Sequence, residues 1–121
     1  MAHILIAEDV EEIRFAYEAI LMSAGHTVET AANGEGAINK LKTSKFNLLI
    51  TDLLMPKGDG FDVIEETLSL VQKPKILVIT GGGDQLSPHA AIKLRESKID
   101  RFLVKPVDRD ILLNTVDALL N

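Results

Sequence analysis

The chain has 121 residues, a net charge of −5 and 46% hydrophobic residues. This length fits one domain, 1–121, and the apolar content is sufficient for a single core. The 13 Lys and Arg residues are scattered along the sequence, which argues against direct nucleic-acid binding. The lack of Cys excludes a disulfide framework and a thiolate metal site.

The sequence contains no signal for secretion or membrane insertion. Residues 1–9 (MAHILIAED) have no basic start and become acidic after a short apolar run. No apolar stretch approaches the roughly 18 to 20 residues that are needed to cross a bilayer. We therefore expect a cytoplasmic protein without membrane contact.

The first predicted elements are a strand at 3–7, a helix and a second strand at 27–31. The helix is predicted from apolar residues at spacings of three and four, which are Ile13, Ala16, Tyr17, Ile20, Leu21 and Ala24. Gly25 stands where a helix commonly ends. After the second strand, Asn33-Gly34 is a turn signal before a short helix with Ala37, Ile38 and Leu41.

The next two predicted strands are at 47–52 and 75–80. The run 47–52 is the most apolar, which fits a central strand covered on both faces. The helix between them is predicted from a stripe of apolar residues, which are Phe61, Ile64, Leu68 and Val71. The run Gly81 to Gly83 after the fourth strand lacks the residues of a nucleotide P-loop, and we interpret it as a hinge.

The last predicted elements are a helix, a strand at 100–104 and a final helix. Ser87-Pro88 predicts the N-cap and first residue of a helix that runs to about Glu96. Asp108 is predicted to cap the final helix. Strands that alternate with helices in this way predict a parallel sheet with right-handed crossovers and helices on both faces.

The predicted fold class is therefore α/β, with five parallel strands and five helices in a three-layer sandwich. If the sheet is the flavodoxin-like doubly wound one, with the strand order 2-1-3-4-5, the first and third strands are neighbours. Their carboxyl ends meet at one edge of the sheet, where such folds bind their ligands.

Polar side chains lie at that edge of the predicted sheet, at Glu8, Asp9, Asp52, Thr80 and Lys105. Three crowded acids need a counter-charge, and Mg²⁺ suits them because it takes hard oxygen ligands and is commonly held by carboxylates plus a phosphate. A hydroxyl and an ammonium beyond Asp52 would hold oxygens of a phosphoryl group. The pattern thus predicts a site for a divalent cation and a phosphoryl group.

Each of these residues also has an ordinary structural interpretation. Asp9 and Glu12 have the spacing of a capping box for the first helix. Taken alone, Asp52 is better explained as a residue that caps the loop after the strand than as a functional residue. Thr80 favours strands, and Lys105 precedes a turn proline in a peptide bond that is compatible with a cis form.

Taken in order, these motifs resemble the response-regulator receiver domain of two-component signalling, over the full length of the chain. The resemblance rests on Glu8-Asp9, on the run 48–56 (LLITDLLMP) followed by 58–60 (GDG), on Thr80-Gly81, and on Phe102 three residues before Lys105-Pro106.

The resemblance implies that Asp52 accepts a phosphoryl group from the phosphohistidine of a sensor histidine kinase or a phosphotransfer protein. It also implies that Asp9, Asp52 and the backbone carbonyl of Leu54 bind Mg²⁺, with Glu8 helping through a water molecule. No other cofactor is implied. The protein would be no enzyme beyond self-catalysed phosphoryl transfer and autodephosphorylation.

By the same resemblance, Thr80 and Phe102 form a switch, and Lys105 contacts the phosphoryl group. The period of the strand places Phe102 on the face opposite Leu103, toward solvent. A downstream protein would bind across the fourth helix, fifth strand and fifth helix. A stand-alone regulator fits best, and an excised domain of a longer protein stays open.

Two other functions are compatible with an acceptor carboxylate. An aspartate-nucleophile phosphatase usually needs a second Asp two residues after the nucleophile, and Leu54 occupies that position. A receiver-like binding module that is never phosphorylated is the other alternative, and intact Asp9, Asp52, Thr80 and Lys105 argue against it.

Overall fold

The computed structural model describes residues 2–81 and 87–121. Within these ranges the strands are β1 (His3–Ala7), β2 (Thr27–Ala31), β3 (Leu48–Thr51), β4 (Lys75–Thr80) and β5 (Arg101–Val104). The helices are α1 (Glu11–Ser23), α2 (Gly34–Thr43), α3 (Gly60–Leu68), α4 (Pro88–Glu96) and α5 (Arg109–Leu120). None of these helices combines the length and the apolar character that a membrane span requires.

The strands form one parallel sheet in the order β2-β1-β3-β4-β5, which confirms the flavodoxin-like prediction. Ala7 at the end of β1 lies opposite Thr51 at the end of β3. Every residue of β3 is buried, as predicted for a central strand. The carboxyl ends of β1, β3, β4 and β5 therefore follow one another along one edge.

Alternate residues of the strands enter two separate apolar clusters, one on each face of the sheet, because successive side chains of a strand point to opposite sides. One cluster joins β1, β3 and β4 to α1 and α5, and includes Ile4, Ile6, Leu48, Ile50, Leu77, Ile79, Tyr17, Leu21, Leu112 and Val116. The other joins them to α2, α3 and α4, and includes Leu5, Leu49, Ile76, Val78, Leu41, Val63, Ile64 and Leu94. The predicted three-layer sandwich is thus confirmed.

Two strands begin one residue later than predicted. At the preceding position, a side-chain oxygen rather than a backbone oxygen accepts the hydrogen bond from the neighbouring strand. Asn47 accepts a hydrogen bond from the His3 N–H through its side-chain Oδ1, at 2.8 Å. Asp100 does the same for the Ile76 N–H through Oδ2, at 2.7 Å. The regular strands therefore start at Leu48 and Arg101.

Several predicted helix ends are confirmed by their capping contacts. The Ala90 N–H donates to Ser87 Oγ at 3.1 Å, and the Ile111 N–H donates to Asp108 Oδ1 at 2.8 Å. Gly25 follows α1 with a φ of 95°, a conformation that glycine adopts without strain.

At helix ends, one alternative interpretation and one prediction are wrong. The capping box of Asp9 and Glu12 does not form: Val10 is the N-cap of α1 and makes no side-chain cap hydrogen bond. The Val10 N–H donates to Glu8 Oε2 at 3.1 Å instead. Val71 does not belong to the stripe of α3, because that helix ends at Leu68 and Val71 is 99% exposed.

The hinge prediction at 81–83 falls mostly outside the described residues. Gly81 is described, whereas Gly82 and Gly83 are not. The Lys105-Pro106 peptide bond is cis, the form that the sequence allowed.

Candidate functional site

The three predicted acids are brought together by the pairing of β1 with β3. Glu8 directly follows β1, and the Asp52 N–H donates to the Ala7 carbonyl oxygen at 3.0 Å. One carboxylate oxygen from each of Glu8, Asp9 and Asp52 lies within 4.8 Å of the others. Glu8 and Asp52 are buried, and Asp9 is exposed.

The two carboxylate oxygens of Asp52 have different partners. Oδ1 accepts hydrogen bonds from the backbone N–H groups of Leu53, at 2.7 Å, and Leu54, at 3.4 Å. Oδ2 accepts a hydrogen bond from Lys105 Nζ at 2.6 Å. The carboxylate is therefore fixed in orientation at the end of the central strand.

Lys105 reaches this site from the other half of the sheet. It directly follows β5, and its backbone N–H donates to the Thr80 carbonyl oxygen at 2.8 Å. Its Nζ lies 2.6 Å from Asp52 Oδ2 and 2.7 Å from Glu8 Oε1. One ammonium thus bridges two buried carboxylates.

Burial and ion pairing act in opposite directions on these groups. Burial raises the pKa of Glu8, and the hydrogen bonds from Lys105 and the Val10 N–H oppose this only in part. For Lys105, burial lowers the pKa, but the hydrogen bonds to Asp52 and Glu8 outweigh it and the net pKa is raised. Lys105 therefore stays cationic, and its hydrogen bond does not fully offset the burial of Glu8.

This donor set fits Mg²⁺. The grouped atoms are carboxylate oxygens, the hard ligands that this ion prefers, and their mutual distances within 4.8 Å allow one ion to bind them together. Leu54 lines the same cavity as Asp9 and Asp52, so a ligand from the loop after β3 is at the correct side of the site.

Thr80 is at the end of β4 and is 2% exposed, as predicted for a strand-end residue. Its Oγ1 is buried and has no hydrogen-bond partner among the described residues. An unpaired buried hydroxyl is energetically unfavourable, so such a group is a candidate for a ligand contact.

Phe102 lies on β5 opposite Val78 and is 51% exposed, so its predicted outward orientation is confirmed. It does not line the acidic cavity. Of the predicted site residues, Glu8, Asp9, Asp52 and Lys105 form one cluster, whereas Phe102 lies apart on the edge strand.

The site opens into a cavity of about 680 Å³ that has an acidic end and an apolar wall. Asp9, Asp52 and Lys105 line one part, and the wall includes Ile13 and Tyr17 of α1. Burial raises the pKa of Tyr17, and the nearby charge of Lys105 opposes this shift.

The proximity of Tyr17 to the acids was not predicted from the sequence, in which Tyr17 is only one of the core residues of the first helix. The sequence did contain one indication, because Tyr17 is the single aromatic residue on the otherwise aliphatic face of the first helix. Arg14 was missed as well: its guanidinium donates to the Glu8 carbonyl oxygen at 2.9 Å and thereby fixes the loop after β1.

Comparison with known proteins gives a consistent result. The family model described as "Response regulator receiver domain" matches residues 4–117. The chain is 32% identical over 121 residues to the response regulator receiver protein CpdR of Brucella abortus, a match that covers 99% of this chain and 98% of that protein.

A second relative is longer than this chain. The transcriptional regulatory protein AfsQ1 of Streptomyces coelicolor is 33% identical over 120 residues, which is 99% of this chain and 52% of AfsQ1. The chain spans an even smaller share of several other relatives that it matches.

Among solved structures, the chain is similar to the response regulator protein TrrA of Thermotoga maritima, whose crystal structure is a complex with Mg²⁺ and BeF. The TM-score is 0.83 at 29% sequence identity, and the match covers 99% of this chain and 100% of that chain.

Proposed function

Because the chain belongs to the response-regulator receiver domain family of two-component signalling, we propose that it is a phosphoacceptor switch and that Asp52 is the acceptor. Receiver domains are signalling proteins and not classical enzymes. The observation that carries the proposal is the Asp52 carboxylate, which is buried at the end of β3, oriented by two backbone N–H groups and bonded to Lys105.

In the proposed transfer, a carboxylate oxygen of Asp52 attacks the phosphorus of a phosphohistidine on a sensor kinase or phosphotransfer protein. The phosphorus–nitrogen bond breaks as the oxygen–phosphorus bond forms, and the electron pair returns to the histidine, which takes up a proton. Catalysis of this kind depends mainly on positioning and charge. Lys105 and Thr80 supply an ammonium and a hydroxyl for the phosphoryl oxygens.

We propose that Asp9, Asp52 and the Leu54 backbone carbonyl bind Mg²⁺, with Glu8 contributing through a water molecule. The clustering of three carboxylate oxygens supports this assignment, as does the complex of TrrA with Mg²⁺ and BeF. When bound, the ion would neutralise negative charge on the phosphoryl group.

We further propose that Thr80 and Phe102 form the switch. The hydroxyl of Thr80, which lacks a described partner, would turn to the phosphoryl group, and the half-exposed Phe102 ring would occupy the space that it leaves. The changed surface would lie across α4, β5 and α5, where a downstream protein binds. The proposal includes a cytoplasmic location and no direct contact with nucleic acid or membrane.

The test is incubation with acetyl phosphate and Mg²⁺, followed by intact mass measurement. We expect the mass of the wild type to rise by one phosphate and that of Asp52→Asn to stay unchanged. Asp62→Asn is the matched control, because it removes an exposed carboxylate of α3 outside the cluster and should be labelled like wild type. Equal labelling of Asp52→Asn would place the phosphate on another residue and refute the assignment, and absence of labelling in the wild type would favour a binding module that is not phosphorylated.

A further inference from the structure

Two segments of this acidic chain contain lysines and no acidic residue. Segments 36–51 and 67–83 contain no Asp or Glu, although the chain has 18 of them. The same segments contain Lys40, Lys42, Lys45, Lys73 and Lys75. Positive charge is therefore segregated from the acids that surround the proposed acceptor.

Strand pairing brings three of these lysines together. Lys75 lies opposite Leu48 in the β3–β4 register, and its N–H donates to the Asn47 carbonyl oxygen at 3.0 Å. Lys45 comes two residues before Asn47, and Lys73 two residues before Lys75. Both therefore precede neighbouring parallel strands at the same edge of the sheet.

Two adjoining cavities of about 500 Å³ and about 490 Å³ lie among these lysines. They share Lys45, Phe46 and Gln72, so they form one continuous groove. No Asp or Glu lines either cavity. We call this surface the basic groove. Its lysines are Lys42, Lys45, Lys73 and Lys75, and we include two apolar residues that line it, Phe46 and Val71.

Most of the charge in the basic groove is not neutralised by the protein. Lys75 Nζ lies 3.9 Å from Asp100 Oδ1, a long ion pair. Within residues 2–81 and 87–121, no carboxylate oxygen lies within 4.0 Å of the Nζ atoms of Lys42, Lys45 or Lys73. All four lysines are exposed to solvent.

The basic groove also contains unpacked apolar surface. Val71 lines it and is 99% exposed, while Phe46 below it is buried. An exposed apolar side chain that lines the same cavity as the unpaired Lys42 and Lys45 is a combination typical of protein-binding surfaces, where apolar contact area lies beside polar groups.

We propose that the basic groove docks an acidic peptide segment of a partner protein, with one large apolar side chain against Phe46 and Val71 and carboxylates against the lysines. Charge complementarity selects the acidic partner. A nucleic acid matches less well, because no arginine lines the groove and its centre is apolar. The groove lies at the opposite edge from Asp52, so this proposal does not depend on the proposed function.

The test is NMR titration of the full chain with a short synthetic peptide in which Asp and Glu alternate with Leu and Phe. We expect saturable shifts of the amides at 42–46 and 70–75, which weaken as salt is added. Lys45→Glu with Lys73→Glu should reduce affinity by at least about tenfold. Val71→Asp should also reduce it, and this position is too exposed for the change to affect folding.

The matched control is Arg95→Glu with Lys98→Glu, which changes net charge equally at exposed positions outside the groove and should bind like wild type. Absence of saturable shifts at the groove, or unchanged affinity after charge reversal there, overturns the proposal. So does equal binding of an acidic peptide without Leu and Phe. Tighter binding of a single-stranded oligonucleotide at the groove, or self-association of the chain through it, would show that the groove binds a different partner and would also overturn the proposal.

Discussion

Lys105 is the residue on which the electrostatics of the acidic site depend. It contacts both buried acids, at 2.6 and 2.7 Å, whereas Asp9 is exposed at the rim of the cluster. An ammonium and a divalent cation are attracted to the same carboxylates and repel each other. Lys105 and Asp9 should therefore affect metal binding in opposite directions.

We expect Asp9→Ala to weaken Mg²⁺ binding and Lys105→Met to strengthen it, each by about tenfold or more. The first change removes a ligand, and the second removes a competing positive charge while keeping the length of the side chain. Calorimetric titration of the unphosphorylated protein measures both affinities. If Lys105→Met weakens binding as Asp9→Ala does, Lys105 does not compete with the ion.

Two buried threonines near Asp52 allow a matched comparison of hydroxyl groups. The Thr51 Oγ1 donates to the Asp52 carbonyl oxygen at 2.8 Å, whereas the Thr80 Oγ1 has no partner among the described residues. We expect Thr51→Val to lower the free energy of unfolding by about 1 kcal/mol, and Thr80→Val to leave it unchanged or raise it by up to about 1 kcal/mol. Urea unfolding without phosphodonor measures both. Equal losses would mean that Thr80 also makes a hydrogen bond in the resting protein.

At the scale of elements, the sequence predicted boundaries well where a local side chain sets them. Ser87 and Asp108 cap helices through contacts within three residues, and the residue types alone indicate such contacts. The capping box of Asp9 and Glu12 did not form because α1 begins one residue later than that pattern requires, with Val10 as its N-cap. The spacing of Asp9 and Glu12 alone does not determine which residue begins the helix.

The loop from β3 to α3 is held by close backbone contacts at glycines. The Gly60 N–H donates to the Leu53 carbonyl oxygen at 2.8 Å, and the Gly34 N–H donates to the Gly58 carbonyl oxygen at 3.0 Å. A Cβ atom on Gly60 would lie 2.0 Å from the Asp52 carbonyl oxygen. The start of α3 can approach the acceptor residue this closely only with glycine at position 60.

We expect Gly60→Ala to lower the free energy of unfolding by about 1–3 kcal/mol and to slow labelling of Asp52, because the added methyl group must displace the end of β3. Gly36→Ala in α2 is the control, since its Cβ would meet only side-chain atoms, at 3.3 and 3.6 Å. Urea unfolding and the rate of acetyl phosphate labelling measure the two effects. A normal labelling rate in Gly60→Ala would show that this approach does not position Asp52.

For the molecule as a whole, hydrophobic periodicity predicted the alternation of strands and helices, whereas the strand order 2-1-3-4-5 was taken from the flavodoxin-like fold that has this alternation. The alternation of strands and helices restricts the topology strongly, and the residues at strand ends then converge. The bridging of Glu8 and Asp52 by Lys105 was not predictable, because it depends on how far one side chain reaches from the end of β5, past β4, to residues that follow β3 and β1. Val71 was misassigned because its spacing fits a helix that ends before it.

The central sheet should carry most of the stability. We expect Leu77→Ala to lower the free energy of unfolding by about 2–5 kcal/mol, because Leu77 is fully buried between β4 and the helices α1 and α5. Val71→Ala removes two methyl groups from a fully exposed residue and should change it by less than about 0.5 kcal/mol. Urea unfolding compares them, and similar losses would contradict the assignment of the core.

The separate partners of the two Asp52 oxygens have a consequence for the choice of an unphosphorylated reference protein. Both oxygens face donors, with backbone N–H groups at Oδ1 and the ammonium of Lys105 at Oδ2. A carboxamide has one acceptor atom and one NH₂ group, so in Asp52→Asn a donor must point at a donor whichever way the amide is turned. That variant reports correctly that no phosphate is attached, but we expect either its loop or its Lys105 to shift from the resting position, depending on which way the amide is turned. The wild-type chain kept free of phosphodonor is therefore the proper reference for the inactive conformation.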